Sequence, residues 1–244
     1  MRNIKLTLEY DGRDFFGFQA QPKKRTVQSE LENAFRKLFG KRVQISSAAG
    51  RTDARVHAVH QVVNFKVNSK IPLKNVHRAL NAYLPEDLAV REICEVSKKF
   101  HARFQAKSKT YEYIVWNSKA RSPLKRFHAY HFPHSLNLKK MRQAAKLMTG
   151  KHDFCSFQSK SEVKDSVRTI RQFLIQKNGN EIRFVIKGNG FLYNMVRSAV
   201  GTILFVGTGK IALPDFKKIL ENKDRRHIGP TLPAHGLTLV QVQY

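Results

Sequence analysis

The sequence predicts an α+β protein of two halves, each a split β-α-β unit of the ferredoxin-like kind with an antiparallel sheet. Three observations predict it. Segments with a two-residue apolar period alternate with segments of helical period. They fall in the order β-α-β-β-α-β, and that order recurs in the second half of the chain without any recurrence of sequence. The halves are placed at residues 1–104 and 105–244, meeting within the basic stretch from Lys98 to Lys109. At 244 residues, length alone allows one large domain or two small ones.

Each element has a local reason. Ile4, Leu6, Leu8 and Tyr10 alternate as a half-buried strand, and Asp11-Gly12 follows as a turn. Thr26 stands as N-cap before Val27, Leu31, Ala34, Phe35 and Leu38, which line one face of a helix, and Gly40 lies just past its end. Val43 to Ser47 and His60 to Val67 read as strands on either side of a Gly-Arg-Thr-Asp turn. Leu73, Val76, Leu80 and Tyr83 give a second helix with Pro72 near its first turn, and Leu88 to Val96 closes the half as a strand.

In the second half, Tyr111, Tyr113 and Val115 share one face of a strand from Thr110 to Trp116. After a long basic loop, Leu138, Met141, Ala145 and Met148 form a helix that Gly150 ends. Val167 to Gln176 and Glu181 to Lys187 read as a hairpin around Asn178-Gly179-Asn180. A helix from Leu192 to Phe205, a shorter one from Pro214 to Glu221 and a terminal strand through Val240, Val242 and Tyr244 complete the order. Such halves carry helices on one face of the sheet and leave the other open, the face that RNA-recognition modules use.

Composition narrows the partner. With 45 Lys and Arg against 18 Asp and Glu the formal net charge is +27, which points to a polyanion, with nucleic acid first. The basic residues are spread along the chain and not gathered beside one apolar anchor, which disfavours a membrane surface. They recur among aromatics, as in Lys98-Lys99-Phe100-His101-Ala102-Arg103-Phe104 and Lys125-Arg126-Phe127-His128-Ala129-Tyr130-His131-Phe132, where basic side chains can neutralise phosphates and rings can stack on unpaired bases. For any single cluster, a solvated strand with core-facing rings accounts for it equally well.

Cys94 and Cys155 match neither a disulfide framework nor a paired zinc motif, so a reducing compartment is expected. The alternating N-terminus is unlike a signal peptide, and Val200 to Val206 is far too short to span a bilayer. The expected location is the cytoplasm. His128, His131 and His134 lie close together but match no ligand spacing, so no metal is expected. No phosphate loop ending in Gly-Lys-Ser or Gly-Lys-Thr is present, which removes the nucleotide triphosphatases.

The candidate chemistry centres on Gly50-Arg51-Thr52-Asp53. A lone carboxylate in a tight turn of so basic a chain needs a reason, and Arg51 two positions away would hold it ionised and aimed, as suits a nucleophile or general base. The plain alternative is a turn whose Asp binds its own backbone while Arg51 makes a surface ion pair. Three other segments bear on the site. Lys107-Ser108-Lys109-Thr110-Tyr111 opens a strand with a tyrosine able to stack on a base. Gly188-Asn189-Gly190-Phe191 runs into an otherwise apolar helix where Arg197 calls for an anionic partner, for which Asp53 is the candidate. Ala234-His235-Gly236-Leu237 enters the last strand through a glycine that permits close approach of a backbone or ligand. Singly, each also has a structural reading: Tyr111 as core, Arg197 reaching solvent, Gly236 as a turn.

Taken together, these segments closely resemble the tRNA pseudouridine synthase A family. The resemblance begins at Tyr10-Asp11-Gly12 with Phe16-Gly17-Phe18-Gln19 and Gln21. It passes through Gly50-Arg51-Thr52-Asp53-Ala54 with Val56-His57-Ala58 and through Lys109-Thr110-Tyr111-Glu112-Tyr113. It ends in Val167-Arg168-Thr169-Ile170, Phe191 to Arg197 and Ala234-His235-Gly236-Leu237. The resemblance implies a pseudouridine synthase-like fold with the active-site cleft between the halves. It further implies a cofactor-free isomerase that converts uridine to pseudouridine at positions 38, 39 and 40 of the tRNA anticodon stem-loop, as a homodimer.

By the same resemblance Asp53 is the essential carboxylate, acting as nucleophile toward sugar or base or as the base that starts an elimination. Arg51 and Arg197 resemble residues that hold that carboxylate or a phosphate, and Tyr111 the tyrosine that stacks on the target base. Arg55, His57, Arg168 and Leu237 stand at substrate-binding positions. The chain departs from the pattern at Ala48 and Arg55, where glycines are usual, and at Phe18, where tryptophan is common. A glycine at 55 would serve a backbone shape that Arg resists, whereas Arg55 offers a phosphate contact. The rival function is a non-catalytic RNA-binding protein on the same scaffold.

Overall fold

The computed structural model describes residues 1–159, 165–222 and 225–244. It divides into two units, Met1–Lys107 with Thr238–Tyr244, and Ser108–Leu237.

In the first unit, β1 (Arg2–Tyr10) buries Ile4, Leu6 and Leu8 completely. The chain continues through α1 (Val27–Phe39), β2 (Ile45–Ala48), β3 (His57–Val67), α2 (Leu73–Tyr83) and β4 (Leu88–Val96), in the expected order. β1 lies between β3 and β4 and is antiparallel to both, and β2 pairs antiparallel with β3. Thr26 caps α1 as its sequence implied: its side chain accepts from the Ser29 N–H while Ser29 Oγ accepts from the Thr26 N–H. Gly40 ends the helix in the left-handed conformation at φ 64°. The buried stripe Val27, Leu31, Ala34 and Phe35 faces the core, where the Phe35 and Phe65 rings lie 4.3 Å apart. Burying these side chains supplies about 1.5–3 kcal/mol each before conformational entropy is counted.

The second unit contains β5 (Ser108–Trp116), the two-residue β6 (Tyr130–His131), α3 (Leu138–Leu147), β7 (Gly150–Asp153), β8 (Val167–Asn178), β9 (Glu181–Gly188), α4 (Met195–Thr208) and α5 (Leu213–Asn222). β5 pairs antiparallel with β9, β9 with β8 and β8 with β7, while β6 runs parallel to β5. The hairpin closes at Asn178 opposite Glu181, with Gly179, the first of its two loop residues, at φ 55°, a positive φ that glycine adopts without strain. β6 and β7 were not expected. Gly150 does not merely end a helix; it opens β7, whose residues Gly150-Lys151-His152-Asp153 carry no apolar alternation to announce a strand. α4 begins three residues later than its apolar run, because Asn194 takes a left-handed conformation at φ 61° before it. Most of its residues are buried, so it has no polar face to show in the sequence.

The last strand, β10 (Leu237–Gln243), is the larger correction. The sequence places it in the second half, yet Thr238 and Leu239 pair parallel with His57 and Ala58 of β3, and residues from Thr238 onward belong to the first unit. Tyr244, just past it, donates its hydroxyl to the Ala102 carbonyl at 2.8 Å and packs on Phe100 with ring centroids 5.1 Å apart. Strand pairing across so long a sequence separation leaves no local trace.

Candidate active site

In the first unit the Gly50-Arg51-Thr52-Asp53 segment lies between β2 and β3, and backbone holds it from several sides. The Ala49 N–H donates to the Val62 carbonyl at 2.8 Å, and the Phe18 N–H donates to the Thr52 carbonyl at 3.0 Å. The Arg55 N–H donates to the Phe15 carbonyl and the Val56 N–H to the Asp53 carbonyl, both at 3.2 Å. Side chains from two strands add to this frame. Tyr10 at the end of β1 shares a 2.7 Å hydrogen bond with Thr52 Oγ1, and Gln61 of β3 donates Nε2 to the Gly50 carbonyl at 2.9 Å. Burial pushes the Tyr10 phenol up to about 12, against the hydrogen bonds from Thr52 and Gln61 that oppose the shift.

Two glycines allow the segment before α1 to press against this loop. A Cβ on Gly12 would stand 2.1 Å from the Val56 carbonyl oxygen. Gly17, at φ 91°, leaves room for the Thr52 carbonyl, which a Cβ would meet at 2.9 Å. These contacts give Tyr10-Asp11-Gly12 and Phe16-Gly17-Phe18 a physical role that the sequence alone did not supply; a glycine set between large aromatics was the available signal of close approach.

The loop places Asp53 half-buried and Arg51 exposed. Backbone bonds frame the loop on either side of Asp53, whose own main-chain carbonyl accepts from the Val56 N–H. Arg55 sits exposed at φ 67°, in the left-handed region that a glycine would occupy without strain. His57 is buried, its Nδ1 3.0 Å from the Gly12 N and 3.1 Å from an Asp11 oxygen, so it ties β3 to the turn after β1.

The second unit gathers its own set. Tyr111 on β5 is 8% exposed and meets Phe191 edge-on, with centroids 5.2 Å apart. Arg168 on β8 lies beside the Gly188-Asn189-Gly190 turn, where the Asn189 N–H donates to the Thr169 carbonyl and Asn189 Oδ1 accepts from the Thr169 N–H. Arg168 itself donates Nη1 to the Asp165 and Val167 carbonyls at 3.1 and 2.6 Å. Arg197, in the first turn of α4, is half-buried and donates Nε to the Leu232 carbonyl at 2.6 Å and Nη1 to Asn194 Oδ1 at 2.7 Å. Leu237 is buried. Gly236 finds its reason in Tyr113 rather than in a ligand: a Cβ there would fall 2.7 Å from Tyr113 Cζ. The buried Tyr113 hydroxyl donates to the Pro233 carbonyl at 2.8 Å, and desolvation raises its pKa well above the ordinary phenol value, against the nearby positive charge of Arg197.

The framed carboxylate loop and the Tyr111–Phe191 contact fall on the stretches that carry the family resemblance, and comparison with known proteins agrees. A family profile described as tRNA pseudouridine synthase matches residues 7–105 and 144–244. The chain belongs to the tRNA pseudouridine synthase family. Curated relatives support the assignment over the whole length. The tRNA pseudouridine synthase A of Acetivibrio thermocellus is 45% identical over 245 residues, covering all of both chains. That of Anoxybacillus flavithermus is 46% identical over 245 residues, covering 100% of this chain and 99% of its own. The family membership and α+β class expected from the sequence are thus borne out.

Among the described residues no group of three His, Cys, Asp or Glu side chains is placed to hold a metal ion, and His131 directs Nε2 to the Ser118 carbonyl at 2.8 Å. No helix among them is long and apolar enough to cross a membrane.

Proposed function

We propose that this pseudouridine synthase family member isomerises uridine to pseudouridine at positions 38, 39 and 40 of the tRNA anticodon stem-loop, with Asp53 as the essential carboxylate, as a cytoplasmic homodimer. The observation that carries the reading is the loop itself. Asp53 is the only acidic residue between Val43 and Pro85, and it sits half-buried at the centre of a segment that backbone bonds and two glycines hold in place. A carboxylate so held reaches a reacting atom without first reorganising.

The reaction breaks the bond from ribose C1′ to base N1, turns the base, joins C1′ to C5 and moves the C5 proton off the ring while N1 gains one. Atoms and electrons balance within the nucleotide and proton transfer, so the protein supplies a carboxylate and proton handling. Asp53 attacks the sugar or base, or starts an elimination. Tyr111 stacks on the target base, and Arg51, Arg55, Arg168 and Arg197 serve phosphates or the carboxylate. The target base must leave its stack at a cost of a few kcal/mol, which the +27 charge helps offset through phosphate contacts.

The test is to incubate the protein with unmodified tRNA transcript and map pseudouridine by carbodiimide labelling. Wild type is expected to mark positions 38–40, and Asp53→Asn to leave no product while holding tRNA affinity within a few-fold. Near wild-type turnover by the Asn variant would sink the assignment of Asp53. Binding without product in the wild type would turn the reading to the non-catalytic rival.

A further inference from the structure

The turn between β4 and β5 is built more firmly than a connector requires. Asn3 Nδ2 donates to the Ser97 and Phe100 carbonyls at 2.8 and 3.1 Å. The Ala102 N–H donates to Ser47 Oγ at 2.8 Å and Asn64 Oδ1 at 3.0 Å, and its carbonyl accepts from Tyr244. Asn3, Asn64 and Ala102 are all buried, so the base of the turn is fixed by a satisfied polar network. Above it, Gln105 donates its N–H to the His101 carbonyl at 3.1 Å and closes the tip.

What this base displays is an aromatic ring. Phe104 is 77% exposed. The His101 ring stacks on it with centroids 4.3 Å apart and an interplanar angle of 25°, and the Arg103 guanidinium lies 5.6 Å from its centroid. His101 is oriented in turn, because Nδ1 accepts from the Arg103 and Phe104 N–H groups at 3.3 and 3.4 Å. A single exposed phenylalanine needs no explanation. One stacked on an oriented imidazole, at the tip of an anchored turn, is held flat for a third ring to join. The charge around it selects the partner: Lys98, Lys99, Arg103 and Lys107 are exposed, and residues 97–107 include no Asp or Glu.

We propose that Phe104, with His101 and Arg103, is a stacking platform for an unpaired base of the RNA substrate, distinct from the Asp53 loop, with the surrounding cations meeting the flanking phosphates. The class of ligand follows from the surface. Only an unpaired nucleotide offers a free π-face beside phosphates, whereas paired bases in a duplex turn their faces to their neighbours. The proposal rests on the chain being an RNA-acting enzyme, and it adds a binding contact to that reading without adding a chemical step.

The experiment compares wild type, Phe104→Ala, Phe104→Leu and Phe104→Trp on unmodified tRNA transcript and on oligouridylate, by filter binding, sizing and product mapping. Stacking is worth about 1–3 kcal/mol per base, which is roughly 5- to 150-fold in affinity. Phe104→Ala is therefore expected to weaken both probes within that range, Phe104→Leu to rescue little, and Phe104→Trp to restore binding and show fluorescence quenching when oligouridylate is added. The salt dependence should keep its slope, since no charge is removed. Unchanged affinity in Phe104→Ala, full rescue by Leu, or a shift only in oligomeric state would overturn the proposal, the last marking a contact between protein chains. These outcomes are separable from the enzymatic reading, because product mapping on wild type tests that reading by itself.

Discussion

The Asp53 loop of the first unit and the Tyr111 strand of the second hold candidate site residues by opposite means. The loop has no regular ladder of its own; its shape is set by carbonyls and N–H groups contacting the segment before α1, with Gly12 and Gly17 at the points of closest approach. Tyr111 stands on β5, where eight residue pairs from Lys109 to Trp116 register against β9, so the backbone would persist whatever the side chain. The difference teaches where each region is vulnerable. A methyl group added beside the loop should do more harm than removing a side-chain group from the strand.

Gly12→Ala is the strongest way to break the comparison. Its Cβ would fall 2.1 Å from the Val56 carbonyl oxygen, so the loop or the turn has to move. The expected result is a stability loss of about 1–3 kcal/mol or more in denaturant titration, together with a drop in pseudouridine formation of at least 10²-fold, since small misplacements of reacting groups are costly. Normal activity in this variant would mean that the frame does not position Asp53.

Tyr111→Phe sharpens the other side. It keeps the ring and removes the hydroxyl. A single-turnover rate within about threefold of wild type assigns Tyr111 to stacking, and a fall of roughly 10²-fold or more assigns the hydroxyl to proton transfer. Tyr113→Phe is the control on the same face of β5: loss of its hydrogen bond to Pro233 should cost about 1 kcal/mol of stability and leave single-turnover chemistry nearly intact.

Tyr10 links the loop to alkaline stability. Its pKa rises from 10.0 to about 12 on folding, so the proton is bound more tightly in the native state. The stability tied to it is whole below pH 10, the unfolded value, and drains as pH climbs toward 12. Urea titrations at pH 8 and pH 11 should show that loss, and in Tyr10→Phe the decline should be shallower, although the variant starts lower at pH 8 for want of the Thr52 hydrogen bond. An identical decline in both proteins would remove Tyr10 as its source.

Arg55→Gly is the smallest expected effect. Glycine relieves a left-handed backbone that costs a larger residue about 1–2 kcal/mol, while its greater freedom in the unfolded chain offsets part of the gain. Stability should change by less than about 1 kcal/mol. If Arg55 contacts a phosphate, the log-log salt slope of tRNA binding should fall by about 0.7–0.9. An unchanged slope would leave Arg55 without a role in binding.

The sequence by itself determined most of the regular elements, the polyanion partner and the family. Strand alternation, helix spacing, the Thr26 and Gly40 caps and the Asn178-Gly179-Asn180 hairpin are written within a few residues of where they act, and net charge depends on no fold at all. The motif residues were legible in order but not in role. Only the tertiary structure decided that Gly12 and Gly17 press on a loop some forty positions away, that Arg51 is exposed while backbone frames Asp53, and that Gly236 makes room for Tyr113. It also decided that the terminal strand pairs with β3, and that the polar residues of β7 form an edge strand. The physical reason is shared: each depends on atoms brought together from distant parts of the chain, and neither periodicity nor propensity carries information about that approach.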